Sequence, residues 1–169
     1  MKKVTILVPC YNEAKSLHFL YAELKALMDE EKGYNWEVLL VNDGSRDNTL
    51  DIIRDLQSRD KRICFVDLSR NFGKENAMLA GFDYATGDCV VIMDADLQDD
   101  VNVIETMIDK FHEGKDIVYG VRSERKTDTF FKRFTAQSFY KVMAAMGVKT
   151  IYNHADFRMM TKRAVDELK

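Results

Sequence analysis

Residues 88–98 read Asp88-Cys89-Val90-Val91-Ile92-Met93-Asp94-Ala95-Asp96-Leu97-Gln98, an apolar run that ends on two carboxylates flanking one small residue. A strand with one wet face alternates apolar and polar side chains. A run that is apolar throughout is expected where helices cover both faces of a parallel sheet. Val38-Leu39-Leu40-Val41 repeats the pattern and ends on Asn42-Asp43-Gly44-Ser45. The segment between the first strand and this one has the period of a helix: Leu17, Leu20, Tyr21, Leu24, Leu27 and Met28 recur at spacings of three and four, which marks one buried face.

Extended along the chain, this reading predicts strands at Val4–Val8, Trp36–Val41, Ile63–Leu68, Asp88–Met93 and Ile117–Tyr119. Helices are predicted at Ala14–Glu30, Asn48–Ser58, Lys74–Ala85 and Val101–His112. The class is α/β: a doubly wound, mostly parallel sheet with helices on both faces. Beyond Tyr119 the rhythm changes. A basic loop carries Arg122, Arg125 and Lys126, an amphipathic helix is predicted over Thr129–Met146, and His154–Met160 is a candidate returning strand. No repeat, low-complexity tract or linker divides the 169 residues, so a single domain is expected. The chain stops at Lys169 inside a helical pattern begun by Thr161, with no closing cap signal. The expectation is a longer natural protein.

Composition narrows the function. The chain is 46% hydrophobic and 31% charged, too apolar for disorder. At this length it can bury a core without a disulfide or metal staple. Its net charge of −3 argues against a nucleic-acid binder that relies on bulk positive charge. The charge is unevenly spread. Residues 1–120 hold 14 Lys and Arg against 23 Asp and Glu, whereas residues 121–169 hold 11 against 5. The basic third is either a solvated face or the seat of an anionic partner, such as phosphate or a membrane surface. Cys10, Cys64 and Cys89 read as buried strand thiols in a reducing compartment, with no Cys/His cluster for zinc. The N-terminus does not read as a signal peptide, and no run approaches the roughly 18 apolar residues of a membrane span.

In an open parallel sheet, ligands bind beyond the carboxyl ends of the strands. Here those ends carry Pro9-Cys10-Tyr11-Asn12-Glu13, Asn42-Asp43-Gly44-Ser45, Ser69-Arg70-Asn71 and Asp94-Ala95-Asp96-Leu97-Gln98. Turn chemistry alone explains Asp43-Gly44. It explains Asp94-Ala95-Asp96 less well, because like charges at one mouth are costly unless a cation neutralises them. Oxygen ligation by Asp96, joined by Gln98, suits Mg2+ or Mn2+, the cations that accompany a diphosphate. Neither G-x-G-x-x-G nor G-x-x-x-x-G-K-[ST] is present, which counts against a dehydrogenase and a P-loop NTPase. Asp43 stands where a carboxylate can accept hydrogen bonds from a ribose or a base edge.

Five co-linear motifs carry a resemblance. Val-Pro-Cys-Tyr-Asn-Glu (8–13), Val-Asn-Asp-Gly-Ser (41–45), Ser-Arg-Asn-Phe-Gly-Lys-Glu (69–75), Met-Asp-Ala-Asp-Leu-Gln-Asp (93–99) and Ala-Asp-Phe-Arg-Met-Met (155–160) resemble the inverting glycosyltransferase family 2. Within it they look most like the polyprenyl-phosphate glycosyltransferases, the bactoprenol glucosyltransferases and dolichol-phosphate mannose synthases. The resemblance implies a GT-A type fold. It also implies transfer of a hexose from a UDP- or GDP-sugar to a polyprenyl phosphate at the cytoplasmic membrane face, with inversion.

By the same resemblance, Pro9, Tyr11, Glu13, Val41 and Asp43 hold the nucleoside, with Tyr11 on the base. Asp94 and Ala95 line the sugar-nucleotide pocket, Asp96 and Gln98 ligate the metal, and Arg122 adds a second cation beside the diphosphate. Asp156 takes the place of an acceptor-side base, or orients acceptor groups. Arg125, Lys126, Lys132 and Arg133 are expected to receive the acceptor phosphate and headgroups. Phe130, Phe131, Phe134, Phe139 and Tyr140 either pack inward or lie against the bilayer. Relatives continue into a further acceptor-side segment, and bacterial ones into C-terminal membrane helices. Two other readings use the same residues: transfer to a saccharide hydroxyl, and a catalytically silent nucleotide-sugar binding module. A response-regulator-like phosphate-binding domain also places carboxylates at strand ends.

Overall fold

A computed structural model describes residues 1–121 and 154–169, with backbone alone at 121 and 154–156. In chain order the elements are β1 (Lys3–Cys10), α1 (Leu17–Glu30), β2 (Asn35–Asn42), α2 (Thr49–Arg59), β3 (Ile63–Asp67), α3 (Lys74–Tyr84), β4 (Cys89–Ile92), α4 (Val103–His112), β5 (Ile117–Val121), β6 (His154–Thr161) and α5 (Lys162–Asp166). The strand order is β3-β2-β1-β4-β6-β5. β1 pairs in parallel with both β2 and β4, and β2 with β3, whereas β6 runs antiparallel between β4 and β5. The chain winds outward from β1 to β3, then crosses back to lay β4 on the other flank of β1. The carboxyl ends of β1 and β4 therefore form the switch point of the sheet.

Helices cover both faces, as the unbroken apolar strands require. Alternate residues of β1 and β4 (Val4, Ile6 and Val8; Cys89 and Val91), with Met93 just past β4, pack with α1, α2 and α4 through Leu20, Leu24, Ile53, Leu56, Ile104 and Met107. Leu7, Val90 and Ile92 face the other way, onto Ala77, Met78 and Phe82 of α3 and Val165 of α5. Gly81 lets α3 lie close on β1: a Cβ there would sit 2.3 Å from a Leu7 methyl.

Three sequence expectations are revised. First, α1 begins at Leu17 and not Ala14, because the Glu13 carbonyl accepts from the Ser16 and Leu17 N–H groups while the Glu13 carboxylate accepts from the Ser16 hydroxyl. Second, Cys64 is only half-buried, since β3 is an edge strand, whereas Cys10 and Cys89 are fully enclosed. Third, the returning strand extends to Thr161, whose side chain accepts from the Ala164 N–H and so caps α5. The helix predicted over Thr129–Met146 lies outside the described residues, as do the five aromatics on it.

The amino end of the sheet is closed by a polar knot. The Glu37 carboxylate accepts from the Thr5 hydroxyl at 2.8 Å, the Lys3 ammonium at 2.6 Å, and the Thr86 hydroxyl and N–H at 2.8 and 3.1 Å. Burial alone would raise the Glu37 carboxyl, but these hydrogen bonds outweigh it and hold the group below its ordinary value.

A second knot ties α1 to the α2–β3 turn. Asp60 accepts from the Arg62 guanidinium at 2.7–3.1 Å and from the Tyr21 hydroxyl at 3.2 Å, and Arg62 also reaches Asp29 at 2.9 Å. The Arg62 hydrogen bonds pull Asp60 down to about 2. A depressed carboxyl contributes stability at neutral pH that is lost as pH falls through the folded value. Urea unfolding should therefore show stability falling between about pH 4 and pH 2, with about 1 kcal/mol of that loss traceable to Asp60 after solvent screening is allowed for. Asp60→Asn should have a shallower pH slope over this window. An unchanged slope would assign the loss to other carboxylates.

Candidate active site

Three loops and the end of β4 converge at the switch point, and their shapes follow from side chains that cap backbone. Asn12, with φ of 58°, donates its N–H to the Ser45 hydroxyl at 3.0 Å and accepts from the Arg46 N–H at 2.8 Å. The Glu13 N–H donates to the Thr49 hydroxyl at 2.8 Å. These bonds lock the β1–α1 loop to the β2–α2 loop. Asp43, at the end of β2, is 2% exposed, and its two oxygens accept from the Phe72 N–H at 2.7 Å and the Gly73 N–H at 2.9 Å. The β3–α3 loop is thereby drawn over the end of β2. Only glycine fits next to this clasp, because Gly44 has φ of +62° and a Cβ there would lie 2.3 Å from the Arg70 carbonyl carbon.

The result is an open cleft of about 280 Å³. Pro9, Cys10, Tyr11 and Glu13 form one wall, Asp43, Asn71 and Lys74 a second, and Asp94, Ala95 and Asp96 the floor. Tyr11 lines the cleft and is 41% exposed, while Ala95 is buried. The Lys74 ammonium lies 2.6 Å from the Asp94 carboxylate. Asp96 accepts from the Gln98 N–H at 3.1 Å, an Asx turn that sets Leu97 at φ of 59°. Left-handed residues other than glycine are uncommon, and the two among the described residues, Asn12 and Leu97, both flank this cleft.

Of the residues expected from sequence, Pro9, Tyr11, Glu13, Asp43, Asp94, Ala95 and Asp96 come together here. Val41 does not line the cleft; its side chain is buried against α3. Gln98 stands just past the floor and shapes it through its N–H. Asp156 falls in β6, two residues ahead of Arg158, the partner of Ile92 in β4. Its side chain lies outside the described set, as do Arg122, Arg125, Lys126, Lys132 and Arg133 altogether.

Cys10, Asn71 and Lys74, outside the site residues expected from sequence, also line the cleft. Burial, with the nearby Glu13 charge, pushes the Cys10 thiol well above its ordinary value, so it is a packed thiol and no nucleophile at neutral pH. Lys74 left a readable trace in the sequence. A cation in the first turn of a helix opposes the helix dipole, so its place after Gly73 points to a site and away from helix stability.

The donor set fits a hard divalent cation in one way only. Among the described residues no group of three or more His, Cys, Asp or Glu could hold a metal. Asp94 and Asp96 offer oxygens alone, which suits Mg2+ or Mn2+ when phosphate oxygens and water complete the shell.

A profile described as Glycosyl transferase family 2 matches residues 5–169. The chain belongs to glycosyl transferase family 2. Similar proteins include the uncharacterized glycosyltransferase YkoT of Bacillus subtilis, 47% identical over 98% of this chain and 51% of its own length. The bactoprenol glucosyl transferase of Shigella phage SfX is 39% identical over 99% of this chain and 55% of its own. The chain thus spans about half the length of the curated relatives it matches.

Among solved structures, mannosyl-3-phosphoglycerate synthase from Rubrobacter xylanophilus superposes with a TM-score of 0.73 at 18% identity, over 95% of this chain and 53% of that one. The mannosyltransferase PcManGT from Pyrobaculum calidifontis, in complex with GDP-Man and Mn2+, gives 0.69 at 20%, over 99% and 46%. The family-2 chain shares the GT-A fold of these two structures.

Proposed function

We propose that this chain is the donor-binding, catalytic part of an inverting, metal-dependent glycosyltransferase. It moves a hexose from a nucleoside diphosphate sugar, with UDP preferred to GDP, to a polyprenyl phosphate at the cytoplasmic face of a membrane. The observation that carries the reading is the cleft at the β1/β4 switch point, where an aromatic ring, a clasped carboxylate and the Asp94-Ala95-Asp96 floor converge. The relatives named bactoprenol glucosyl transferase support the polyprenyl phosphate acceptor. No helix among the described residues is long and apolar enough to cross a membrane. In this reading the membrane contact is made by the basic residues Arg125, Lys126, Lys132 and Arg133.

In this reading Tyr11 stacks on the base, and Glu13 takes a base or ribose hydrogen bond. Asp43 spends one lone pair of each oxygen on the β3–α3 loop, and each oxygen keeps another for the nucleoside. Val41 contributes backbone at the end of β2. Asp96 and Gln98 would hold Mg2+ or Mn2+, whose charge stabilises the departing nucleoside diphosphate. Arg122 would add a second cation to the same diphosphate.

An oxygen of the acceptor phosphate forms the new bond to the anomeric carbon. The bond from that carbon to the β-phosphate oxygen breaks, and its electron pair leaves on the diphosphate. A phosphate monoester with a second pKa of about 6 is already largely dianionic at neutral pH, so it needs no base to attack, and Asp156 either orients acceptor-side groups or serves as a base for the remaining protonated fraction. Attack from the face opposite the leaving group inverts the anomeric centre.

Calorimetric titration is the test. UDP should bind in the presence of Mn2+, and its affinity should fall at least about tenfold when EDTA replaces the metal. Radiolabel from the matching UDP-sugar should enter an acid-labile lipid fraction. Label recovered in polysaccharide would assign a saccharide hydroxyl as acceptor, and metal-independent UDP binding would remove the cation from the reading.

A further inference from the structure

We propose that Lys74 is a resident counter-cation for Asp94 that passes to the donor's diphosphate on binding, so that the divalent cation enters the cleft together with the nucleotide and not ahead of it. The inference rests on the donor-binding reading above. Among the described residues lining the cleft, Glu13, Asp43, Asp94 and Asp96 are carboxylates and Lys74 is the one cation. The ammonium sits 2.6 Å from Asp94, and the two side chains are 36% and 32% exposed, close enough to pair and open enough to exchange partners.

Lys74 is the first residue of α3, directly after Gly73 at φ of 92°. A lysine there opposes the helix dipole, so its placement is explained by the cleft and not by the helix. Its four-carbon stem and three donors let the ammonium swing between anions, which a planar guanidinium does less readily.

The consequence is a coupling between two ligands. A divalent cation arriving alone at Asp96 meets the ammonium already seated on Asp94 two positions away, is repelled by it, and can share the Asp94 charge only by displacing it from that carboxylate. When a diphosphate is present, the displaced ammonium gains a new anion. Metal and nucleotide therefore assist each other by more than their direct contact, and linkage makes the assistance mutual.

The test measures Mn2+ binding by the electron paramagnetic resonance of the free ion, with and without UDP, alongside UDP calorimetry at saturating Mn2+. Lys74→Met should bind Mn2+ alone about threefold to tenfold tighter than wild type, because the local field is more negative. The same variant should bind UDP about threefold to tenfold weaker, with a smaller enhancement of Mn2+ affinity by UDP. Lys74→Arg should restore much of the UDP affinity, and Lys74→Gln repeats the loss of charge in case the methionine disturbs folding. Opposite shifts for the two ligands are not expected of a merely structural lysine. Mn2+ affinity that is unchanged or weaker in both neutral variants overturns the proposal, as does UDP affinity equal to wild type. If the wild-type protein fails to bind UDP with Mn2+, the donor-binding reading itself falls; if it binds and the neutral variants match it, only the exchange of Lys74 is lost.

Discussion

Replacing Asp96 with Asn is expected to cut the proposed sugar transfer by about a thousandfold while leaving the fold intact. The choice of Asn separates two jobs of one side chain. Asp96 accepts from the Gln98 N–H and so sets the left-handed turn at Leu97. The Asn side-chain oxygen can accept the same bond, so the turn survives. What disappears is a negative charge on the cleft floor, two positions from Asp94. In the proposed metal-dependent reaction, a cation held partly by substrate phosphates would have few protein ligands to lose, and its loss would leave the charge growing on the departing diphosphate poorly stabilised. Asp96→Ala should match the loss in transfer and destabilise the turn as well. The measurements are initial rates of label transfer to lipid and the melting temperature, which for Asp96→Asn should stay within about 2 °C of wild type. Near-normal transfer by Asp96→Asn would remove Asp96 from the metal and from the chemistry.

Gly44→Ala is expected to destabilise the protein by about 2–4 kcal/mol and to weaken UDP binding at least about tenfold. Two independent penalties meet at this residue. Its φ of +62° is unfavourable for any residue with a Cβ, and that Cβ would lie 2.3 Å from the Arg70 carbonyl carbon and 2.5 Å from the Asn71 nitrogen. Those neighbours are backbone and cannot rotate away. The loop bearing Asn71 has to retreat, which strains the hydrogen bonds from Phe72 and Gly73 to Asp43. Both the clasp and the cleft wall move together. Gly33→Ala is the control, since a Cβ there meets nothing within 4 Å, and it should change stability by no more than about 0.5 kcal/mol. Denaturant unfolding and UDP calorimetry on the two variants check the contrast. A Gly44→Ala protein as stable as the control would mean the loops do not approach this closely.

Most of the parallel part of the fold was legible in sequence because it rests on short-range periodicity. Val90-Val91-Ile92-Met93 is apolar on both faces, so both faces had to be covered, and all four residues are indeed buried. The carboxylates after β2 and β4 were legible as site candidates because strand ends can be counted along the chain. Asp43 is more than such a candidate: it is also the clasp of a loop 29 residues further on. Nothing local to Asp43-Gly44 distinguishes a nucleoside ligand from a loop anchor, since both need a carboxylate at a strand end. Val41 was expected at the nucleoside, yet its side chain follows the strand's alternation into the core beside α3. The like charges of Asp94 and Asp96 called for a cation, and sequence reasoning supplied a metal. The structure also supplies the Lys74 ammonium.

The sequence by itself determined which segments are strands and helices, which of their faces turn inward, and that carboxylates gather where the strands end. These follow from side-chain period and turn chemistry, which act over a few residues. The tertiary structure alone decided that β6 enters antiparallel between β4 and β5, that Asp43 holds the β3–α3 loop, and that Lys74 reaches Asp94 across the cleft. Those contacts join residues 20 or more positions apart, and their partners are set by how the strands pair and the helices pack, which no local pattern encodes.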